Sequence, residues 1–198
     1  MTIAFIALGA NKTAWHDGRA LSPRQCVATA LAKIDVLPQS YLLSASGLYV
    51  TSPIGPGRQR PYINTVAAIE TRLDLNAFNR ALQTIETHFH RQRRRAWQAR
   101  SLDLDVLDYG GDVLPHAAAW RSLAQRPWPN RLPLRSAFLH GARTPTVPHV
   151  RLQDRGFVIW PLVELCPNWL HPVYQSTALG LSRRLRRGAT RRLGPIFL

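Results

Sequence analysis

Residues 100–110, RSLDLDVLDYG, set Asp103 and Asp105 on alternate positions of an otherwise apolar run. In an extended strand positions i and i+2 share a face, so the two carboxylates stand about 7 Å apart on one side while Leu102, Leu104 and Val106 take the other. Such a pair repels itself unless a cation lies between or beside it. A hard divalent ion answers that need, because magnesium takes one or two carboxylates and completes its shell with water and substrate phosphates. The competing reading of the spacing is an edge strand whose solvent face carries two acids. Arg91, Arg93, Arg94, Arg95 and Arg100 lie just upstream. Phosphoryl chemistry needs that neighbourhood, since guanidiniums neutralise charge on bridging and leaving oxygens that a metal also contacts. A basic helix end would account for the arginines alone. It does not account for Trp97 among them, where a flat heteroaromatic substrate would gain stacking area.

The chain has 198 residues, 45% of them hydrophobic, enough to bury a core in one domain. Its formal net charge is +15, and Lys12 and Lys33 are the only lysines, so the positive charge is almost all arginine. Guanidiniums bind phosphates in bidentate fashion, which suits a nucleotide polyphosphate or a nucleic-acid backbone. No apolar run reaches the length of a membrane span, and the first residues lack the basic leader and cleavage site of a signal peptide, so the chain reads as cytoplasmic. Cys26 and Cys166 are too few and too far apart for a disulfide framework and read as reduced thiols.

The elements that must position these residues follow from periodicity. Thr2 to Leu8 reads as a strand stopped by Gly9-Ala10-Asn11, and Ser22-Pro23 opens a helix that ends at Leu37-Pro38. Tyr41–Thr51 and Tyr62–Thr71 read as a pair of antiparallel strands, Asp74–His90 as an amphipathic helix, and residues 101–109 as a fourth strand. The order β-α-β-β-α-β predicts an α+β, ferredoxin-like sandwich with an antiparallel sheet and helices on one of its faces. Residues 1–175 are expected to form the catalytic domain. Residues 115–143 would be an inserted arm, ordered because it carries Trp120, Trp128, Leu132, Leu134, Phe138 and Leu139, and 176–198 a basic C-terminal helix or tail.

Taken together, GAN (9–11), YVTSPIG (49–55), PYINTV (61–66), IETHFHRQR (85–93), WQARSLDLDVLDYG (97–110), TVPH (146–149) and DRGFVIWPL (154–162) resemble 6-hydroxymethyl-7,8-dihydropterin pyrophosphokinase of folate biosynthesis. The resemblance implies transfer of pyrophosphate from MgATP to the hydroxymethyl group of the dihydropterin, with release of AMP. It implies that Asp103 and Asp105 hold two Mg²⁺ ions and act catalytically with Arg91 and Arg93. By the same resemblance Thr51, Tyr62, Asn64, Trp97 and Phe157 fall on the pterin site, and Glu86, Arg100, His149 and Arg155 on the ATP site. The first loop is longer than the family plan, and both 115–143 and the arginine tail are additions to it. Two alternatives stand beside this reading: a pterin-binding paralogue with a changed substrate or reaction, and an RNA-binding module built on the same strand order. Partners are then ATP and a dihydropterin rather than a membrane or nucleic acid, with monomer or dimer left open.

Overall fold

The computed structural model describes residues 1–53, 58–89, 99–126, 145–185 and 190–194. Strand β1 is Thr2–Ala10, and its alternation sends Ala4, Ile6 and Leu8 to one face and Phe5 and Ala7 to the other. The long first loop holds a small hairpin, β2 (Ala14–His16) and β3 (Arg19–Leu21), turning at Asp17-Gly18, both with positive φ (48° and 75°). Asp-Gly is the residue pair that tolerates such a turn. Helix α1 (Pro23–Asp35) starts at a Ser22–Gln25 capping box with proline in its first turn. Strands β4 (Ser40–Ala45), β5 (Leu48–Thr51) and β6 (Tyr62–Thr71) follow, then α2 (Leu75–His88), whose first turn is capped by Asp74 accepting the Ala77 N–H. Beyond these come β7 (Asp103–Tyr109), α3 (Ala117–Gln125), α4 (Gly156–Leu165), α5 (Ala178–Ser182) and β8 (Thr190–Gly194).

The six-stranded sheet runs β7-β1-β6-β5-β8, with β4 also paired to β6, and every pairing is antiparallel. The α+β, ferredoxin-like order expected from sequence is therefore present, with α1 and α2 as its two connections. Tyr41–Thr51 differs from the expected single strand. It breaks at Ser46-Gly47, where Ser46 exchanges backbone and hydroxyl bonds with Thr65 and Val66 and so satisfies the interrupted ladder.

Helices cover both faces of the sheet, not one. Ala4, Ile6, Leu8, Leu104 and Val106 pack on α1 and α2 through Leu31, Ile34, Phe78 and Leu82. On the opposite face Phe5, Val66, Ala68 and Leu107 pack against Val158, Ile159 and Leu162 of α4 and against Trp169, Ala178 and Leu181. Because α4 is apolar almost all round, its sequence signals burial without signalling a helix. The basic C-terminal stretch is likewise not a helix or free tail throughout, since Thr190–Gly194 forms β8 on the edge of β5. Glu164 of α4 fastens that strand, taking Nε and Nη2 of Arg192 at 3.0 and 2.5 Å, the Tyr49 hydroxyl at 2.7 Å and the Gly47 N–H at 3.2 Å. Arg192 first, with help from Tyr49 and Gly47, holds the Glu164 carboxyl below its ordinary pKa despite partial burial. Cys26 and Cys166 are free thiols, as expected, and burial pushes the Cys26 thiol up. Among the described residues no helix is long and apolar enough to cross a membrane.

The turn after α4 buries His171 completely, ringed by Trp120, Trp169 and Tyr174 at 5.3, 5.6 and 4.8 Å between ring centroids. Its Nδ1 accepts the N–H groups of Val173 and Tyr174, and burial lowers its pKa to about 4. The unfolded chain therefore binds this proton from about pH 6.5 downward and the folded chain does not until about pH 4, so stability falls as pH drops through that window. A shift of this size corresponds to about 3 kcal/mol. Urea unfolding of wild type should lose stability from pH 6.5 to 4, and His171→Gln should make that slope shallower, leaving the share of His149, whose pKa is also lowered to about 4, whatever it does to stability at pH 7.

Candidate active site

The two aspartates occupy the face that α4 covers. Cross-strand register joins Asp103 to Gly9, Gly9 to Asn64 and Asn64 to Tyr49, so one row crosses β7, β1, β6 and β5. Residues directly opposite in an antiparallel pair project from the same face. Asp105, Ala7 and Val66 form the next row, after which the face becomes the apolar core under α4. The site is thus the polar end of a half-buried sheet.

Gly9 leaves room in that row for Asn64. A Cβ there would lie 2.7 Å from Asn64 Oδ1, so a larger residue would push the Asn64 amide out of its place. Asn64 is buried and donates to Thr51 Oγ1 at 2.7 Å, which fixes its amide orientation. Thr51, Tyr62 and Asn64, which the resemblance assigns to one site, are therefore neighbours on this face.

Both carboxylates already face cations. Asp103 pairs with the Arg100 guanidinium, and Asp105 Oδ2 lies 3.3 Å from Arg155 Nη1 and 3.9 Å from His149 Nε2. The repulsion expected of the pair is relieved by these arginines. Burial would lower the Arg100 pKa, but Asp103 and Asp105 outweigh it and hold the guanidinium above its ordinary value. His149 Nδ1 accepts the Arg151 N–H at 3.1 Å, and its Nε2 faces Arg155 Nη1 at 3.4 Å and Asp105. Burial, with Arg155 adding to it, lowers the His149 pKa to about 4. The imidazole is accordingly neutral at pH 7. Arg155 also lies over the Phe157 ring at 5.5 Å, which brings Phe157, half-buried at the start of α4, to this end of the sheet.

Asp103, Asp105, Arg100, His149, Arg155 and Phe157 thus converge, with Thr51, Tyr62 and Asn64 alongside. Glu86 stands apart. It is buried on α2, beneath the opposite face, and its Oε1 takes the Leu104 N–H at 2.8 Å at the edge of β7. Arg91, Arg93 and Trp97 lie outside the described residues, as do Arg94 and Arg95.

Sequence patterning read Gly9-Ala10-Asn11 as the stop of a strand and missed what Asn11 does. Asn11 is buried; its Nδ2 donates to Gln59 Oε1 and the Arg60 carbonyl, both at 3.1 Å, and its Oδ1 accepts the Arg100 N–H at 2.7 Å. The N–H groups of Asn11 and Lys12 return to the Arg100 carbonyl at 2.9 and 3.1 Å. One carboxamide therefore fixes the approaches to β6 and β7, and with them Arg100. The available signal was an asparagine directly after a strand, the residue type whose short amide bridges backbone segments.

The sequence profile of the family described as 7,8-dihydro-6-hydroxymethylpterin-pyrophosphokinase (HPPK) matches residues 5–167. This chain belongs to that family. Among HPPK relatives, the 2-amino-4-hydroxy-6-hydroxymethyldihydropteridine pyrophosphokinase of Haemophilus influenzae is 33% identical over 172 residues, 87% of this chain and 86% of that protein. The Pseudomonas aeruginosa protein of the same name is 32% identical over 164 residues, 83% of this chain and 80% of that one. In structure, 92% of this chain superimposes on wild-type Plasmodium falciparum HPPK-DHPS with a TM-score of 0.60 at 13% identity, covering 44% of that chain. The likeness is one of fold, and the chain spans less than half of the P. falciparum protein.

The Asn11 clamp sets a measurable expectation. Asn11→Ala removes three side-chain hydrogen bonds, and Asn11→Asp keeps the acceptor for Arg100 but turns the donors facing Gln59 and Arg60 into oxygens. Each should cost about 2 kcal/mol or more in urea unfolding, with the aspartate at least as costly as the alanine. A loss below about 0.5 kcal/mol for both would mean the clamp carries little.

Proposed function

We propose that the chain transfers a pyrophosphoryl group from MgATP to the hydroxymethyl oxygen of 6-hydroxymethyl-7,8-dihydropterin, releasing AMP. The observation that carries this reading is the shared row, in which Asp103 lies one glycine away from the Asn64 amide, with Asp105 in the next row and Arg100, Arg155 and His149 beside the two carboxylates. Phosphate-handling groups and a planar hydrogen-bonding wall are thus neighbours on one surface.

The donor set suits magnesium. Asp103 and Asp105 offer hard oxygens on one strand face, and among the described residues no cluster of three or more His, Cys, Asp or Glu side chains forms a closed metal cage. An ion held by these two would keep positions for phosphate and water, the coordination magnesium favours. Bound there, with two ions as the family resemblance implies, magnesium would polarise the phosphoryl oxygens and orient the attacking hydroxyl. Arg155 and Arg100 would move from carboxylate to phosphate oxygens as the nucleotide arrives, a bidentate exchange that guanidinium geometry favours. His149, neutral, would donate its Nε2–H to a phosphate oxygen without adding charge. Asn64, its amide oriented by Thr51, would read the polar edge of the pterin, with Tyr62 and Phe157 supplying ring surface. Arg91, Arg93 and Trp97 complete the proposed set.

Nothing favours the RNA-binding alternative. Its aromatic candidates are buried: Phe5 packs edge-on against Trp169 at 6.4 Å, and the Tyr109 hydroxyl donates to the Leu73 carbonyl.

Asp103→Asn and Asp105→Asn should each lower AMP formation by about 100-fold or more in saturating magnesium. Because each aspartate has an arginine partner, neither variant should gain the stability that relief of carboxylate repulsion alone would give. Melting temperatures should stay within a few degrees of wild type or below it. Either variant keeping most of its activity would overturn the metal assignment.

A further inference from the structure

Helix α3 lies in the insertion, yet its one large buried side chain is directed at the segment that carries His149. Trp120 is fully buried, and its indole Nε1 donates to the Pro148 carbonyl at 2.6 Å. The backbone of residues 147–149 is otherwise held by the body of the protein. Val147 exchanges two hydrogen bonds with Leu114 at 2.7 and 3.0 Å, the His149 N–H goes to the Leu107 carbonyl at 2.8 Å, and the His149 carbonyl takes the Leu152 N–H at 2.9 Å. The Pro148 carbonyl is the remaining polar group of the three residues, and the insertion's tryptophan takes it.

The other side of α3 is anchored independently. The Trp120 ring meets His171 and Tyr174 edge-on at 5.3 and 5.4 Å, Ala124 and Val173 pack beside it, and Arg121 Nη2 reaches the Val173 carbonyl at 3.4 Å. The helix therefore spans from the turn at 171–174 to the peptide joining Pro148 to His149. Trp120 from the carbonyl side and Leu107 from the N–H side thus hold the peptide that carries the His149 ring, which meets the Arg151 N–H and lies near Asp105.

We infer that α3 is a brace for the nucleotide end of the site and that Trp120 is a positioning residue acting through His149. The inference rests on the assignment of His149 to the ATP phosphates under the proposed function. Part of the insertion thereby acquires a defined role, in which an indole N–H fixes one peptide plane and that plane fixes an imidazole.

A double-mutant cycle in the full chain tests the brace, with Trp120→Phe, His149→Ala and the double variant. Trp120→Phe keeps an aromatic ring in the pocket and removes the donor. It should raise KM for MgATP about three- to tenfold and leave KM for the dihydropterin within about twofold. Placed on His149→Ala, it should add nothing further. Additive effects in the cycle, or equal losses for both substrates, would overturn the brace. His149→Ala with unaltered MgATP constants would instead defeat the assignment of His149, and with it this role for α3. If Trp120→Phe does not fold, Ala124→Gly loosens α3 while leaving the indole donor in place. A smaller rise confined to MgATP then supports the brace, and no rise overturns it.

Discussion

The register of β1 between β6 and β7 is the constraint on which the site depends. Gly9 pairs with Asn64 on one side and Asp103 on the other, so a carboxylate and a carboxamide from distant parts of the chain share one face. A one-residue slip of β1 would put Leu8 or Ala10 in place of Gly9 between them and send the apolar set of β1 to the other face. The apolar alternation of β1 prevents that slip, because Ala4, Ile6 and Leu8 must face α1 and α2. Gly9 then allows the close approach, since any side chain there would meet Asn64 Oδ1. The core and the chemistry are thus fixed by the same strand.

Helix α4 closes the face and is tied at both ends by charge. Arg155, its N-cap, reaches Asp105 on β7, and Glu164 near its C-terminus gathers Arg192, Tyr49 and Gly47 from the other side of the sheet. Between those ties the contact is apolar, through Val158, Ile159 and Leu162. The helix therefore crosses the sheet at one height and leaves the row of Asp103, Gly9 and Asn64 at the sheet's polar end. At that end Arg100 offsets the charge of Asp103 and Arg155 that of Asp105.

The β2–β3 hairpin and helix α3, two of the three segments that the sequence sets outside the family plan, are each tied to the body of the protein through a ring. The β2–β3 hairpin lays His16 flat on Phe89, with ring centroids 4.7 Å apart at 8°, and brings its Nδ1 to within 3.2 Å of the His88 carbonyl at the end of α2. Helix α3 takes the Pro148 carbonyl. In each case an aromatic or heteroaromatic ring from an inserted segment satisfies one carbonyl and covers apolar surface, so the insertion is held by the body it extends.

The sequence by itself determined what is local. Period-two alternation marked β1, β6 and β7, capping residues and helical spacing marked α1 and α2, and the i, i+2 rule put Asp103 and Asp105 on one face. The family motifs named Asn64, Thr51, His149 and Arg155 as site residues. Tertiary structure decided what depends on partners far apart in the chain. It split Tyr41–Thr51 into two strands because Ser46 finds Thr65 and Val66, and it placed α4 on the second face of the sheet. It turned the arginine tail into β8 on the free edge of β5, and set Glu86 under the Leu104 amide. Asn11 and Trp120 show the reason most directly: each works by reaching a carbonyl or N–H whose position only the assembled fold supplies, 49 residues away for Asn11 and 28 for Trp120. Periodicity records which face a side chain takes, whereas the identity of the group waiting there is set by strand register and by helix docking across the sheet.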